Sequence, residues 1–366
     1  MVIKNIYFEN LDIELNKPFS YFMVVLKYLP YSLVTIETDI GLVGYGEVSV
    51  AWDITGETQE SVKGLHKHLK QIMTKELLNK LESLEDIKEI MGCINKNIYG
   101  NTALKAGVEA ALLDLLGKHK KQPVYKLFQS KLKPKEYIIP QKVFSFEETS
   151  TNDFDKKIQQ AKKDGFKTIK FKVGENKEKD IDLIKHVFKI NPELQVVLDV
   201  NQGWKSVDYA LSIVQELEKF DIAWIEQPLP YYDYDGLKQL RKKTKIPIMV
   251  DESCHGLLDL KNLFKSDVLD MVNIKLAKCG GILEMIKMIN FCEKNKIKYM
   301  LGDMISSSLG VATNLHASML GNFISFDVTY PSRIKSDLFF GLKFEKEKVF
   351  IPQGVGLGVK KIIKND

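Results

Sequence analysis

Between Lys167 and Asp251 the chain runs through Lys170-Phe171-Lys172, then Val196-Val197-Leu198-Asp199-Val200-Asn201, then Ala223-Trp224-Ile225-Glu226-Gln227-Pro228. It closes on Pro247-Ile248-Met249-Val250-Asp251-Glu252-Ser253. Each run reads as a buried strand that ends in charge. An ionised group at the edge of a core must be paired or bound to a metal, because its desolvation is otherwise too costly. Asp199, Glu226 and Asp251 recur at intervals of about one strand plus one helix, the repeat of a parallel α/β unit. In a (β/α) barrel the strand C-termini converge on one mouth, so these three carboxylates can meet. Any one of them alone reads as a cap for the following helix; three in phase point to a cation. Hard oxygen ligands with open positions suit Mg²⁺ better than zinc.

Working outward, the same rhythm continues. Strands are expected near Tyr137–Val143, Thr168–Lys172, Gln195–Asp199, Ala223–Glu226, Pro247–Asp251, Met271–Lys275, Tyr299–Leu301 and Phe323–Asp327. Helices are expected at Phe154–Asp164, Lys179–Asn191, Ser206–Phe220 and Ile282–Asn295. Eight strands with right-handed crossovers predict a closed barrel with its reacting groups at the strand C-termini. Before it, Val2–Glu9, Tyr31–Thr38 and Val43–Glu47 alternate as antiparallel strands, the last two joined by the turn Asp39-Ile40-Gly41. Lys17-Pro18-Phe19 through Leu29-Pro30 reads as a long connecting loop. From Thr58 to about Leu127 the spacing is helical, most clearly over Asn101–Gly117. The predicted organisation is an α+β capping domain over 1–124, a barrel over 125–330 and a tail over 331–366 returning to the cap.

Composition sets limits on function. The chain has 366 residues, 45% hydrophobic and 28% charged, with formal net charge +5. Lysines and acids are interspersed rather than gathered into a basic stripe, which argues against a nucleic-acid partner. Cys93, Cys254, Cys279 and Cys292 show no C-x-x-C spacing, so a disulfide scaffold or zinc ribbon is not expected. No apolar run approaches the roughly 20 residues that span a bilayer. A cytoplasmic protein with reduced thiols and no membrane partner is the expectation, with a homo-oligomer allowed.

Lys170-Phe171-Lys172, Asp199-Val200-Asn201, Trp224-Ile225-Glu226-Gln227-Pro228, Asp251-Glu252-Ser253 and Asn273-Ile274-Lys275-Leu276-Ala277-Lys278-Cys279-Gly280-Gly281 together resemble the motif set of the enolase superfamily. The K-x-K pair and the later N-x-K lysine resemble its muconate-lactonizing subgroup, and within that the dipeptide epimerases, particularly those acting on L-Ala-D/L-Glu. Gly44-Tyr45-Gly46-Glu47 and the glycine-rich tail extend the resemblance over nearly the whole chain. It implies an α/β fold, a modified (β/α)7β TIM-type barrel with an α+β capping domain. It further implies Mg²⁺ on Asp199, Glu226 and Asp251, and a small dipeptide substrate.

The implied chemistry is proton abstraction beside a carboxylate. A divalent cation on the carboxylate oxygens stabilises the ene-diolate, the superfamily's known strategy with a Lys or His base. Epimerisation needs bases on both faces, and Lys172 and Lys275 are the candidates. Each must be made less basic than free lysine, and Lys170, on the same strand face as Lys172, and the metal are expected to do so. Solvated lysines on an edge strand are the bland alternative. Asn201 orients a metal ligand or shapes a turn, Glu252 stands behind the metal or Lys275, and Lys278 is expected at the surface.

Dipeptide epimerases carry an acidic D-x-D pair that grips the substrate ammonium; here the run is Ser325-Phe326-Asp327, so Asp327 stands alone. Asp303 is a candidate second carboxylate, or else a cap. The family's arginine for the Glu side chain is matched by Val24, leaving Lys27 as the nearest cation. An o-succinylbenzoate synthase or muconate cycloisomerase reaction on the same scaffold is the alternative chemistry. A metal-binding scaffold without catalysis would need neither lysine.

Overall fold

The computed structural model describes residues 1–21, 24–75, 79–328 and 333–362. The chain opens with a three-stranded antiparallel sheet, β1 (Ile3–Tyr21), β2 (Val24–Thr38) and β3 (Val43–Ser49). Helices α1 (Gln59–Met73), α2 (Leu84–Asn97) and α3 (Thr102–His119) follow. Thr58 and Ser83 close capping boxes at the first two, satisfying amide groups that would otherwise point into nothing. Helix α3 is buried nearly all round. Gly44 and Gly46 let β3 lie directly on it: a Cβ at Gly46 would stand 1.9 Å from the Gly107 carbonyl oxygen.

The loop expected over Lys17–Pro30 is corrected. β1 and β2 continue as one long hairpin, with a register shift between Glu14 and Phe19 that accommodates Pro18, which has no N–H to give a ladder. The reason lies in the side chains. Ile13, Leu15, Phe19, Leu29 and Tyr31 are buried in a small cluster of their own with Ile334. The hairpin is therefore a sheet extension that packs beyond the cap.

After a two-residue strand β4 (Tyr137–Ile138), the eight-stranded parallel sheet is built from β5 (Lys142–Phe144), β6 (Thr168–Lys172), β7 (Gln195–Asp199), β8 (Ile222–Glu226) and β9 (Ile248–Val250). β10 (Met271–Lys275), β11 (Lys298–Gly302) and β12 (Phe326–Asp327) complete it, in chain order around the sheet. The Gln141 N–H donates to the Phe326 carbonyl at 2.7 Å and brings the first and last edges together. The single strand read over Tyr137–Val143 is thus two, and only the second joins the barrel. β4 pairs instead with β15 (Lys348–Phe350) of the tail, since Pro140 between β4 and β5 cannot continue a ladder.

Helices α4 (Phe146–Thr149), α5 (Phe154–Asp164), α6 (Lys177–Ile190), α7 (Val207–Leu217), α8 (Tyr234–Lys243) and α9 (Leu257–Ser266) line the outside. α10 (Leu276–Cys279), α11 (Ile282–Asn295) and α12 (Ser308–Ala317) complete the ring. The barrel floor is filled by Val197, Trp224, Met249, Met271 and Met300. The tail forms β13 (Phe339–Phe340), β14 (Phe344–Glu345), β15 (Lys348–Phe350) and β16 (Lys360–Lys361). Gly356 bridges to Pro123, and Leu357 N–H donates to Asp114 beside α3. The boundary read between residues 330 and 331 lies outside the described residues.

Two cap carboxylates hold the barrel. Glu109 accepts from the Ile282 and Leu283 amides at the start of α11 (2.5 and 3.1 Å), and Glu47 accepts from Ser307 at the start of α12. Burial pushes Glu109 up to about 8 and Glu47 up to about 7. From the ordinary 4.5 to about 8, folded Glu109 keeps a proton that the unfolded chain has lost, so stability falls as pH rises through that window. Glu109→Gln keeps a carbonyl acceptor without titrating. Its melting temperature, followed from about pH 5 to 9, is expected to fall less than that of the wild type; parallel curves would refute this role.

Candidate active site

The carboxylates and lysines singled out in the sequence come together at the strand ends. Asp199 ends β7, Glu226 ends β8 and Asp251 follows β9; Lys172 ends β6 and Lys275 ends β10. With β12 beside β5, the sheet order places β6 and β10 four strands apart, on opposite sides of the barrel. β8 and β12 are opposite in the same sense, so Glu226 faces Asp327 across the axis at right angles to the lysine pair. A group held at the centre has a lysine on each flank, the three carboxylates on one side and Asp327 on the other.

Four ammonium groups meet four carboxylates here. Lys170, fully buried, reaches Glu226 Oε2 (2.7 Å), Asp327 Oδ2 (2.7 Å) and Asp199 Oδ2 (3.4 Å). Lys172 Nζ lies 2.7 Å from Asp199 Oδ2 and 2.8 Å from Asn201 Oδ1. Lys275 Nζ is 2.6 Å from Asp251 Oδ2. Lys278, expected at the surface, is 1% exposed and pairs with Asp251 Oδ1 at 2.5 Å. The Gly280-Gly281 turn ends α10 after a single turn, and this short helix directs the Lys278 side chain inward under the site. Its ammonium also donates to the Asn273 carbonyl at 3.1 Å.

The charges explain the protonation pattern. Burial alone would raise Asp251, but Lys275 and Lys278 prevail and hold it well below the ordinary carboxylate range. Burial and Asp199 push Glu226 up to about 7, and burial with Asp251 pushes Glu252 up to about 8. Lys275 is governed by the same carboxylates. Burial works against its charge, yet Asp251, Glu226 and Glu252 raise it above free lysine. Lys170 is held charged, against its burial, by Asp327, Glu226 and Asp199.

The remaining candidates sort by position. Asn201 links the lysine to the acid, accepting from Lys172 and donating to Glu252 Oε1 at 3.1 Å. Asp303 accepts from Ser306 (2.7 Å) and Asn314 (2.9 Å) through Oδ1, while its buried Oδ2 has no partner. Burial raises it well above the usual range, with Glu47 and Asp327 adding to the effect. Lys27 is corrected: it is exposed on β2, while the adjacent Leu26 lines the cavity, because neighbouring strand residues face opposite sides.

That cavity has a volume of about 740 Å³ and reaches Lys172, Lys275, Asn201, Asp303 and Asp327. Its outer wall is the hairpin, through Phe19, Tyr21 and Leu29, together with Trp52 and Ile54. Two of its residues escaped the sequence reading. Tyr21 donates to Asp53 at 2.7 Å and places its ring 5.7 Å from Lys172 Nζ. Arg333 lies 4.8 Å over the Phe19 ring and donates to the Val143 carbonyl at 3.0 Å. Both lie where the sequence shows only a loop or the end of a strand; the alternation Phe19, Tyr21 was the available signal.

Among the described residues no three His, Cys, Asp or Glu side chains close on one point as metal ligands; the carboxylate oxygens are turned onto the lysines. The donor set nonetheless fits a hard cation. All three carboxylates are 2% exposed or less, and beside them Glu252 Oε2 is buried with no hydrogen-bond partner.

The fold and site define an enolase-type enzyme. Residues 153–361 match the enolase C-terminal domain-like family and residues 6–128 the mandelate racemase/muconate lactonizing enzyme N-terminal domain, so the chain belongs to that family and is an isomerase of the racemase and epimerase class. It is 30% identical to N-succinyl-L-Arg/Lys racemase of Bacillus cereus over 98% of this chain and 95% of that protein. It is 31% identical to L-Ala-D/L-Glu epimerase of Clostridium acetobutylicum over 99% of both. Among solved structures, a dipeptide epimerase from Cytophaga hutchinsonii complexed with Mg and D-Ala-L-Val aligns with TM-score 0.89 and 28% identity, over 100% of this chain and 97% of that one. No helix among the described residues is long and apolar enough to cross a membrane.

Proposed function

We propose that the protein epimerises L-Ala-containing dipeptides by 1,1-proton transfer, with L-Ala-L-Glu as the first substrate to test. The observation that carries this reading is the cross formed by Lys172 and Lys275 on one diameter and Glu226 and Asp327 on the other. Asp199, Glu226 and Asp251 would hold Mg²⁺, which supplies electrostatic stabilisation to a substrate carboxylate gaining charge. Lys172 and Lys275 flank the α-carbon, one removing its proton and the other returning it to the opposite face. Asn201 accepts from the Lys172 ammonium, and the Tyr21 ring of the hairpin wall lies 5.7 Å from it.

Asp327 faces the carboxylate end of the substrate from across the barrel, where a dipeptide carries its free ammonium. Arg333, rather than Lys27, is the cation that lines the cavity on the hairpin side and would meet the Glu carboxylate, shared there with Glu148 at 3.5 Å. A second reading, racemisation of an N-succinyl amino acid, is favoured by one observation: Asp327 Oδ2 is already engaged by Lys170. Its failure and success are separable. Asp327→Asn is expected to raise KM and lower kcat for L-Ala-L-Glu while leaving Mg²⁺ affinity intact, because Lys170 keeps Glu226 and Asp199 as partners. Unchanged dipeptide kinetics, or N-acylated substrates reacting as fast as free dipeptides, would overturn the ammonium anchor.

A further inference from the structure

Three residues around the proposed metal ligands have left-handed backbone without being glycine: Asn201 (φ 43°), Gln202 (φ 71°) and Gln227 (φ 39°). Such conformations persist only where the surroundings over-determine them. Asn adopts them with least penalty; Gln gains no such relief. Gln227 directly follows Glu226 and is fully buried.

Its side chain makes every bond a primary amide offers here. Oε1 accepts from the Asp251 N–H (2.9 Å) and the Ser253 N–H (3.1 Å). Nε2 donates to the Leu229 carbonyl (2.9 Å) and to Ser253 Oγ (2.8 Å). The backbone adds two more: Gln227 N–H donates to the Met249 carbonyl, and its own carbonyl accepts from the Gln202 N–H, both at 2.8 Å. One residue thereby ties the ends of β7, β8 and β9, the three strands that present Asp199, Glu226 and Asp251.

We infer that Gln227 is a positioning residue that sets the spacing between Glu226 and Asp251 and so the size of cation the site accepts. This rests on the reading of the three carboxylates as metal ligands. Asp251 cannot shift along its strand or rotate its peptide without breaking its own N–H bond to Gln227 Oε1 and straining the one from Ser253. The Glu226 backbone cannot move without moving Gln227. Mg²⁺ requires short, near-octahedral oxygen contacts, whereas Ca²⁺ accepts longer and more irregular ones. A clamped set of ligands discriminates between them, and a loosened set does not.

The test is calorimetric titration of Mg²⁺ and of Ca²⁺, separately, into the wild type, Gln227→Met and Ser253→Ala. Met fills the same volume with none of the side-chain hydrogen bonds; Ser253→Ala removes the two bonds of one hydroxyl, that accepted from Gln227 Nε2 and that donated to the Tyr231 carbonyl (2.9 Å), and keeps the backbone. For Gln227→Met the Mg²⁺ Kd is expected to rise roughly 10- to 100-fold, the usual effect of losing a group that orients a ligand. The Ca²⁺ Kd rises less, so the preference for Mg²⁺ narrows, and Ser253→Ala follows in the same direction by a smaller factor. If both variants melt earlier but keep the wild-type ratio of the two constants, Gln227 is a structural pin and the inference fails. If the wild type takes up neither cation, the metal assignment itself falls and this inference with it. Should Gln227→Met not fold, the ratio in Ser253→Ala decides.

Discussion

Glu226→Gln should fold and be inactive. Glu226 is fully buried, its Oε1 accepting from Asn273 Nδ2 at 2.7 Å and its Oε2 facing Lys170 Nζ at 2.7 Å. Gln has the same shape but turns an NH₂ toward one of these donors, an unsatisfied contact that costs about 1–3 kcal/mol. A domain with a core of this extent tolerates that, so the melting transition remains cooperative. Catalysis does not survive, because the variant removes a full ligand charge from the side of the site where the metal would meet the substrate carboxylate. A metal contributes several kcal/mol to charge stabilisation, so turnover is expected to fall by at least about 10³-fold. Since burial and Asp199 push Glu226 up to about 7, its proton competes with the cation, and apparent Mg²⁺ affinity weakens as pH falls through 7. Full activity after thorough chelation, or wild-type kcat in Glu226→Gln, would end the metal hypothesis.

How much of this was visible in the sequence depends on whether neighbours in space were also neighbours in pattern. Asp199, Glu226 and Asp251 were legible because a parallel barrel repeats its strand ends in phase, and Lys170 and Lys172 because alternation puts them on one face. The Lys170 to Asp327 contact joins residues 157 positions apart, and no local pattern announces it. That contact bears on the chemistry, since Lys170 shares Asp327 with any ammonium a substrate brings. The hairpin was misread because Pro18 and Pro30 look like punctuation, whereas an edge strand and a register shift absorb them. Lys278 was misread because a lysine beside two glycines resembles an exposed turn. Its burial is affordable only because Asp251 and two carbonyl oxygens meet it, and those belong to other strands or turns.

Lys172→Ala and Lys275→Ala should each lose epimerisation but fail in opposite senses. β6 and β10 stand across the barrel from one another, so one α-proton points at Lys172 and its mirror-related counterpart at Lys275. Loss of a positioned general base costs about 10²–10⁴ in rate. Neither variant can complete the transfer, because inversion needs a donor on the face opposite to the acceptor. The surviving lysine can still remove the proton from the isomer that faces it and return deuterium from D₂O to the same face. Lys172→Ala is therefore expected to exchange the α-proton of one stereoisomer with retention, and Lys275→Ala that of the other, as read by NMR and chiral analysis. The three proposed metal ligands are kept in both, although Asp199 loses one of its lysines in the first and Asp251 one of its two in the second. Lys275 starts from a raised basicity set by Asp251, so it must be freed by charge arriving on that carboxylate before it can act. Exchange of the same isomer by both variants would place the two lysines on one face and remove the basis for a two-base mechanism. Epimerisation at the wild-type rate in either would remove that lysine from the reaction.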